Sequence, residues 1–170
     1  MDTAPVLYTV GHSNHPLEKF LSLLATHSIR RLVDVRGRPF SRFNPHFNRE
    51  RLAKALAAPG VDYRWEGEHL SGRPTDATVL GPDGSPDWVR VAASLGFNTA
   101  LDGVVAGTAT RTALLCAEED PRRCHRRFLL TPPLRARGVA VRHVRGDGRI
   151  EDEADIARAE APRQGELFRA

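Results

Sequence analysis

Residues 112–128 have the sequence TALLCAEEDPRRCHRRF, which contains both cysteines of the chain. The apolar run near their start predicts a buried strand, and the acidic residues after it predict a loop. Asp120 is a typical helix N-cap, and Pro121 suits the first position of a helix. The stretch therefore predicts a strand, a loop and a helix, with Cys116 ending the strand and Cys124 in the first helical turn.

Strands and helices are predicted to alternate on both sides of this stretch. Strands are predicted at residues 6–10, 31–35, 61–65, 113–116 and 139–144. Helices are predicted to begin near Pro16, Asn48, Pro86 and Asp120. The third should break near Gly96, and Pro132 and Pro133 should end or kink the fourth near Leu130. This alternation predicts an α/β fold, a Rossmann-like open and mostly parallel sheet with helices on both faces.

The composition predicts an ordinary globular domain. The 170 residues are 41% hydrophobic and 27% charged, with a formal net charge of +4. No apolar run approaches the ~20 residues needed to span a bilayer, and no signal peptide is evident. Two cysteines make a disulfide framework improbable and favour a reducing cytoplasm. We predict one α/β domain at 1–148 and a polar, flexible tail at 149–170.

Polar residues follow three of the predicted strands. They are His12 and Ser13, then Asp34 and Arg36, then Cys116 and Glu118. In open parallel sheets, ligands bind beyond the carboxyl ends of the strands, so these sets are predicted to share one site. The alternative is that Ser13 only caps the first helix and that Asp34 pairs with Arg36 in a structural role.

The two cysteines have several possible roles. A helix N-terminus and the neighbouring His125 and Arg126 would lower the pKa of Cys124 and make it a nucleophile, but a packing role is equally open. The Cys-x5-Arg spacing from Cys116 to Arg122 is similar to a phosphatase loop, yet the three carboxylates between them would repel phosphate. Seven intervening residues also disfavour a redox pair of the two cysteines.

The segment 36–51 interleaves arginine and phenylalanine. Arginines can hold phosphates and exposed rings can stack on bases, which predicts nucleic-acid binding. The alternative is that the phenylalanines anchor a long loop to the core while the arginines face water. The predicted ligand-binding residues of this segment are Arg36, Arg38, Phe40, Arg42 and Phe43.

Several motifs together resemble a known family. TVGHSN near the start, VDVR followed by a basic segment, and LLCAE with CHR are similar to the bacterial domain-of-unknown-function family four-eight-eight (DUF488). The resemblance covers roughly residues 6–145 and implies an α/β domain with a site built from these motifs. The positions that it marks are Gly11, His12, Ser13, Asp34, Arg36, Ser41, Arg42, Asn44, Pro45, Phe47, Cys116, Glu118, Cys124, His125 and Arg126. The family name assigns no activity.

The tail contains QGELF at residues 164–168. It is similar to the pentapeptide with which bacterial replication and repair proteins bind the sliding clamp, where Gln164 would fix the register and Leu167 and Phe168 would enter an apolar pocket. Folding back of the last two side chains onto the domain is the alternative.

The leading hypothesis is therefore a cytoplasmic enzyme or accessory factor that acts on nucleic acid in DNA repair or replication. The alternatives are a small-molecule enzyme with a cysteine thiolate and a non-catalytic adaptor for DNA or the clamp. Predicted catalytic residues are His12, Asp34, Glu118, Cys124 and His125. Predicted phosphate or nucleic-acid ligands outside segment 36–51 are Ser13 and Arg126. No pair of residues has a metal-site spacing, so no metal is predicted, and the cofactor is unknown.

Overall fold

A six-stranded sheet lies between two layers of helices in the computed structural model, which describes residues 4–161. The strands are β1 (Val6–Gly11), β2 (Arg31–Asp34), β3 (Asp62–Trp65), β4 (Thr112–Cys116), β5 (Ala140–Val144) and β6 (Ile150–Asp152). Their order is β3-β2-β4-β1-β5-β6; the first five are parallel, and β6 is antiparallel to β5. The predicted α/β, Rossmann-like fold is confirmed.

Helices connect the successive parallel strands, and a last helix follows β6. They are α1 (Leu17–Thr26), α2 (Arg49–Ala57), α3 (Gly67–Leu70), α4 (Trp88–Ala93), α5 (Leu95–Ala106), α6 (Thr131–Ala136) and α7 (Glu153–Glu160). The break predicted near Gly96 lies at Ser94, whose hydroxyl caps α5 by accepting from the N–H of Phe97. Within residues 4–161, every helix is too short or too polar to cross a membrane.

Alternate side chains of β4 pack against opposite helical layers, as the pleat of a strand requires. Leu114 belongs to the cluster that contains Phe97 of α5. Leu115 belongs to the cluster that contains Phe20 of α1 and Leu52 of α2. Because β4 is buried on both faces, its sequence is a continuous apolar run and not an alternation of polar and apolar residues.

The chain after β4 departs from the predicted helix. Asp120 caps only a 3-10 turn, Pro121–Arg123, by accepting from the N–H of Arg122. The backbone of Cys124 is then extended, and a π-helical stretch, Arg126–Leu130, leads into α6. Cys124 is therefore not inside a helical turn but immediately precedes the helical stretch, and its carbonyl oxygen accepts from the N–H groups of Arg127 and Phe128.

The two prolines of this segment do not end a helix. Pro132 and Pro133 lie in the first turn of α6, where N–H groups have no partner inside the helix, so proline is tolerated. The irregularity predicted near Leu130 corresponds to the change from π-helix to α-helix between Leu130 and Thr131.

Residues 150–160 are part of the domain and not of a flexible tail, so the predicted boundary after residue 148 is wrong for them. β6 pairs with β5, and α7 buries Ile156 against the sheet. Glu153 is buried beside His143, with 2.9 Å between its carboxylate and the imidazole Nε2. The sequence alone does not distinguish an acidic residue that is buried and paired, such as Glu153, from one that faces solvent. The clamp-like motif at 164–168 lies outside the described residues.

Candidate functional site

The carboxyl ends of β1, β2 and β4 open into a cleft of about 820 Å³, hereafter the thiol cleft. Gly11 at the end of β1 pairs with Cys116 at the end of β4, which brings the two polar sets together. Of the predicted site residues, the cleft is lined by Ser13, Arg36, Arg38, Glu118, Cys124 and His125. Cys116, predicted from its place at the end of β4, also lines the cleft, as do Arg73 and Arg123, which were not predicted.

A cluster of two thiols and one imidazole forms part of the cleft wall. The Nδ1 atom of His125 lies 3.8 Å from the Cys116 Sγ and 3.7 Å from the Cys124 Sγ. The Nε2 atom lies 3.1 Å from the carbonyl oxygen of Leu70, which can only accept, so we assign the proton to Nε2. The Nδ1 lone pair therefore faces both thiols. These three residues are also the group that could hold a soft divalent cation, since their ligand atoms lie within 4.8 Å of one another.

Arg126 lies behind this cluster as a buried cation. Its side chain is 0% exposed, its Nε donates to the Cys124 Sγ at 3.1 Å, and its Nη2 donates to the carbonyl oxygens of Glu118 and Glu119. Among residues 4–161 it has no carboxylate partner, and its Nη1 has no hydrogen-bond acceptor. A buried guanidinium needs a nearby anion, and a thiolate is the group in place to be one.

The two thiols have opposite pKa shifts. A hydrogen bond from Cys124 lowers the pKa of Cys116 to about 6, and the charge of Arg126 adds to this effect. The same hydrogen bond, together with burial, raises the pKa of Cys124 to about 12. The pair therefore gives up one proton readily and holds the second. The sequence-based expectation of a lowered pKa at Cys124 is wrong, because this thiol is buried and is the hydrogen-bond donor of the pair.

Cys116 is also the more accessible thiol. It is half-buried at the carboxyl end of β4, whereas only 4% of Cys124 is exposed. Accessibility and a lowered pKa together make Cys116 the stronger candidate nucleophile. The sequence predicted Cys116 at the shared site but not as the nucleophile, because its proximity to the thiol eight residues later is a property of the folded loop.

His12 and Asp34 lie behind Arg36 and not in the cleft lining. Asp34 is 0% exposed and accepts from Nε and Nη2 of Arg36 at 2.8 and 2.6 Å, and from the hydroxyl of Tyr63. The Nη1 of Arg36 donates to the His12 Nε2 at 3.0 Å. Burial and the charge of Arg36 lower the pKa of His12 to about 4, so its ring is neutral at pH 7. His12 and Asp34 are thus placed to orient Arg36. Acid or base catalysis would require a side chain that can exchange a proton with a substrate in the cleft, and neither residue lines it.

The three carboxylates after Cys116 would repel a phosphate less than the sequence suggested. Glu119 forms two hydrogen bonds to Arg145, at 3.0 and 2.9 Å, and these lower the pKa of Glu119 to about 2. Asp120 caps the following turn. Glu118 alone keeps an exposed carboxylate in the cleft, which is the position of an acid or base that could exchange a proton with substrate.

Segment 36–51 divides between the two roles that its sequence left open. Phe47 is 0% exposed and stacks on the His12 ring at 4.3 Å, so it anchors the loop. Phe40 and Phe43 are 57% and 89% exposed, and the guanidinium of Arg38 lies 5.9 Å from the Phe40 ring. Arg42 is exposed but lies outside the cleft lining.

The predicted phosphate ligand Arg126 is sealed in the interior and cannot reach a ligand. Instead, three exposed arginines of the cleft lack a carboxylate within 4.0 Å among residues 4–161. They are Arg38, Arg73 and Arg123. No local sequence feature indicated a role for Arg73, because its turn-rich loop reaches the cleft only through tertiary folding.

Comparison with known proteins gives one match. A family model described as "Domain of unknown function DUF488" matches residues 16–131, which is more than half of the chain. No curated protein and no solved structure matches. The matched range includes β2, β4 and the thiol cluster, whereas β1 and the cleft residue Ser13 precede it.

Proposed function

The chain belongs to the DUF488 family, whose name assigns no activity, and we propose that it is an enzyme that acts on nucleic acid through a cysteine thiolate. The observation that carries the proposal is the contact between Arg126 and the thiol pair. A fully buried guanidinium donates to the Cys124 Sγ at 3.1 Å, and the neighbouring Cys116 thiol opens into the cleft. The charge of Arg126 favours an anion here, and an accessible thiolate is a strong nucleophile.

The charge of the cleft favours an anionic substrate. Arg38, Arg73 and Arg123 contribute three positive charges without a carboxylate partner in the described part of the chain, against the single exposed carboxylate of Glu118. Guanidinium groups bind phosphate oxygens through two parallel hydrogen bonds. A phosphate-bearing substrate would therefore be drawn to the same cleft that presents the thiol.

Exposed aromatic rings in the loop that supplies Arg38 to this cleft favour a substrate with bases. Phe40 and Phe43 project from the loop that carries Arg38, and Arg38 already packs near the Phe40 ring. Rings of this kind stack on unpaired bases in proteins that bind single strands. DNA repair or replication is the proposed setting, and binding of the sliding clamp through Gln164, Leu167 and Phe168 is part of the same proposal.

The proposed chemical step is nucleophilic substitution. The Cys116 thiolate donates an electron pair to an electrophilic atom of the substrate and forms a sulfur bond to it. The leaving group departs with the electron pair of the broken bond and takes a proton from water in the cleft. A second water molecule then forms a bond through its oxygen to the substrate atom held by sulfur while the carboxylate of Glu118 accepts its proton. The sulfur bond breaks, its electron pair returns to the Cys116 thiolate, and Glu118 passes the proton to the hydroxide left by the first step.

The test combines binding with a search for the covalent intermediate. Labelled single- and double-stranded DNA would be titrated at two salt concentrations with the wild type, Arg73→Ala and Cys116→Ser. We expect salt-dependent binding that Arg73→Ala weakens and Cys116→Ser preserves, and a mass adduct on the Cys116 peptide that the serine variant lacks.

Other outcomes would overturn the proposal in recognisable ways. Binding without an adduct or product would indicate an adaptor. Alkylation of Cys116 without any DNA affinity would indicate a small-molecule enzyme. For the clamp, the double variant Leu167→Ala, Phe168→Ala should lose binding to purified clamp, and unchanged binding would exclude the motif.

A further inference from the structure

A second depression adjoins the thiol cleft, and one aromatic side chain belongs to both. This depression, hereafter the second groove, has a volume of about 460 Å³ and is lined by Arg122, Arg127, Phe128, Thr131, Pro132 and Arg135, with Glu153 at one side. Phe128 lines the thiol cleft as well. Its ring is 55% exposed and packs edge-on against Trp88 with 5.5 Å between centroids, so it stands as a supported ridge between the two depressions.

The arginines of the second groove are not equivalent. Arg122 is paired with Glu151 at 2.9 Å, and Arg127 is paired with Glu153 and Glu160 at 3.1 and 2.6 Å. These pairs attach β6 and α7 to the domain and leave little charge for a ligand. Arg135 is exposed and has no carboxylate within 4.0 Å in the described part of the chain.

Unneutralised arginines therefore lie on both sides of an exposed ring. Arg73 and Arg123 are in the thiol cleft on one side of Phe128, and Arg135 is in the second groove on the other. A single nucleotide could use only one of these sides. A polymer with regularly spaced phosphates could use both, with a base stacked on Phe128 between them.

We propose that the substrate is a single-stranded nucleic acid that runs from the thiol cleft across Phe128 into the second groove. This inference rests on the proposed function and adds that the substrate is a polymer and that Phe128 and Arg135 bind it. A duplex would not fit this path, since its bases are stacked on each other and unavailable to the ring. An acidic peptide has the charge but lacks the flat bases that an exposed phenylalanine beside arginines can stack.

The test is the length dependence of binding. Oligothymidylates of about 4 and about 12 nucleotides, spanning the usual range of single-strand sites, would be titrated by fluorescence anisotropy against Phe128→Ala and Arg135→Ala. Because Phe128→Ala removes the ring on which one base stacks, it should weaken binding of the longer oligomer about ten-fold. Arg135→Ala should lower the salt slope for the longer oligomer by about 0.7, the value for one phosphate contact on a single strand.

A control variant and a protection assay distinguish a failure of this binding path from a failure of the proposed function. Arg30→Ala removes an exposed arginine before β2, at the opposite edge of the sheet, and should change nothing. If the short oligomer still protects Cys116 from iodoacetamide but Phe128→Ala and Arg135→Ala bind the longer one like wild type, the path is wrong and the proposed function stands. If neither oligomer protects Cys116, the proposed function itself fails. Competition by polyglutamate as strong as by the longer oligomer would overturn the choice of nucleic acid.

Discussion

Replacing Cys124 with alanine is expected to raise the pKa of Cys116. Cys116 has a pKa of about 6 in place of the ordinary 9.0, a difference of about 3 pH units or about 4 kcal/mol in favour of the thiolate. The largest cause is the hydrogen bond from Cys124. Hydrogen bonds to charged acceptors contribute about 1.5 to 3 kcal/mol, so its loss should raise the pKa by about 1 to 2 pH units.

The assay is the pH dependence of alkylation. The rate at which iodoacetamide labels Cys116 would be followed by peptide mass spectrometry from about pH 4.5 to about pH 9.5, because only the thiolate reacts. Cys124→Ser is the matched control, since its hydroxyl retains a donor and should shift the midpoint less than alanine does. A wild-type midpoint near that of an ordinary cysteine would refute the reasoning. So would an alanine variant with the wild-type midpoint.

Three further predictions concern stability, each measured by urea unfolding. The pKa of His12 is lowered from 6.5 to about 4, so between these pH values the unfolded chain binds a proton that the folded chain does not. The free energy of unfolding should therefore fall by up to about 3 kcal/mol as the pH drops from 6.5 to about 4, and His12→Gln should reduce this fall. Asp34→Asn leaves a buried arginine without its anion and should cost about 3 to 5 kcal/mol, whereas Asp62→Asn, at an exposed pair, should cost less than about 1 kcal/mol. Gly11→Ala places a methyl group against the backbone of the loop after β4 and should prevent correct folding, whereas Gly103→Ala, in open space on a helix, should be neutral or stabilising by up to about 1 kcal/mol.

Each of these has a result that would contradict it. An unchanged pH slope in the His12 variant would show that its ring is not held neutral by burial. Equal losses for the two aspartate variants would mean that the Asp34–Arg36 pair is exposed to water. A Gly11→Ala variant that is soluble and unfolds cooperatively would show that the loop after β4 can move away from β1.

Local sequence features predicted the sheet and much of the site. Short-range signals such as the apolar run of β4 predicted five of the six strands. Helical periods and capping residues predicted the segments between them. Polar residues at the strand ends also predicted that Ser13, Arg36 and Glu118 would lie together at one edge of the sheet, and all three line one cleft. β6 was missed because its three residues have no strand pattern of their own and are fixed by pairing with β5.

The roles of individual site residues required the tertiary structure. The sequence determined which thiols, imidazoles and carboxylates the protein possesses and at which edge of the sheet they gather. Burial and hydrogen bonding decided what each can do: Asp34 and His12 support Arg36, Arg126 faces the thiol pair, and the lowered pKa belongs to Cys116. The physical reason is that a pKa depends on partners and solvent within a few ångströms, and residues far apart in the chain supply both only after folding.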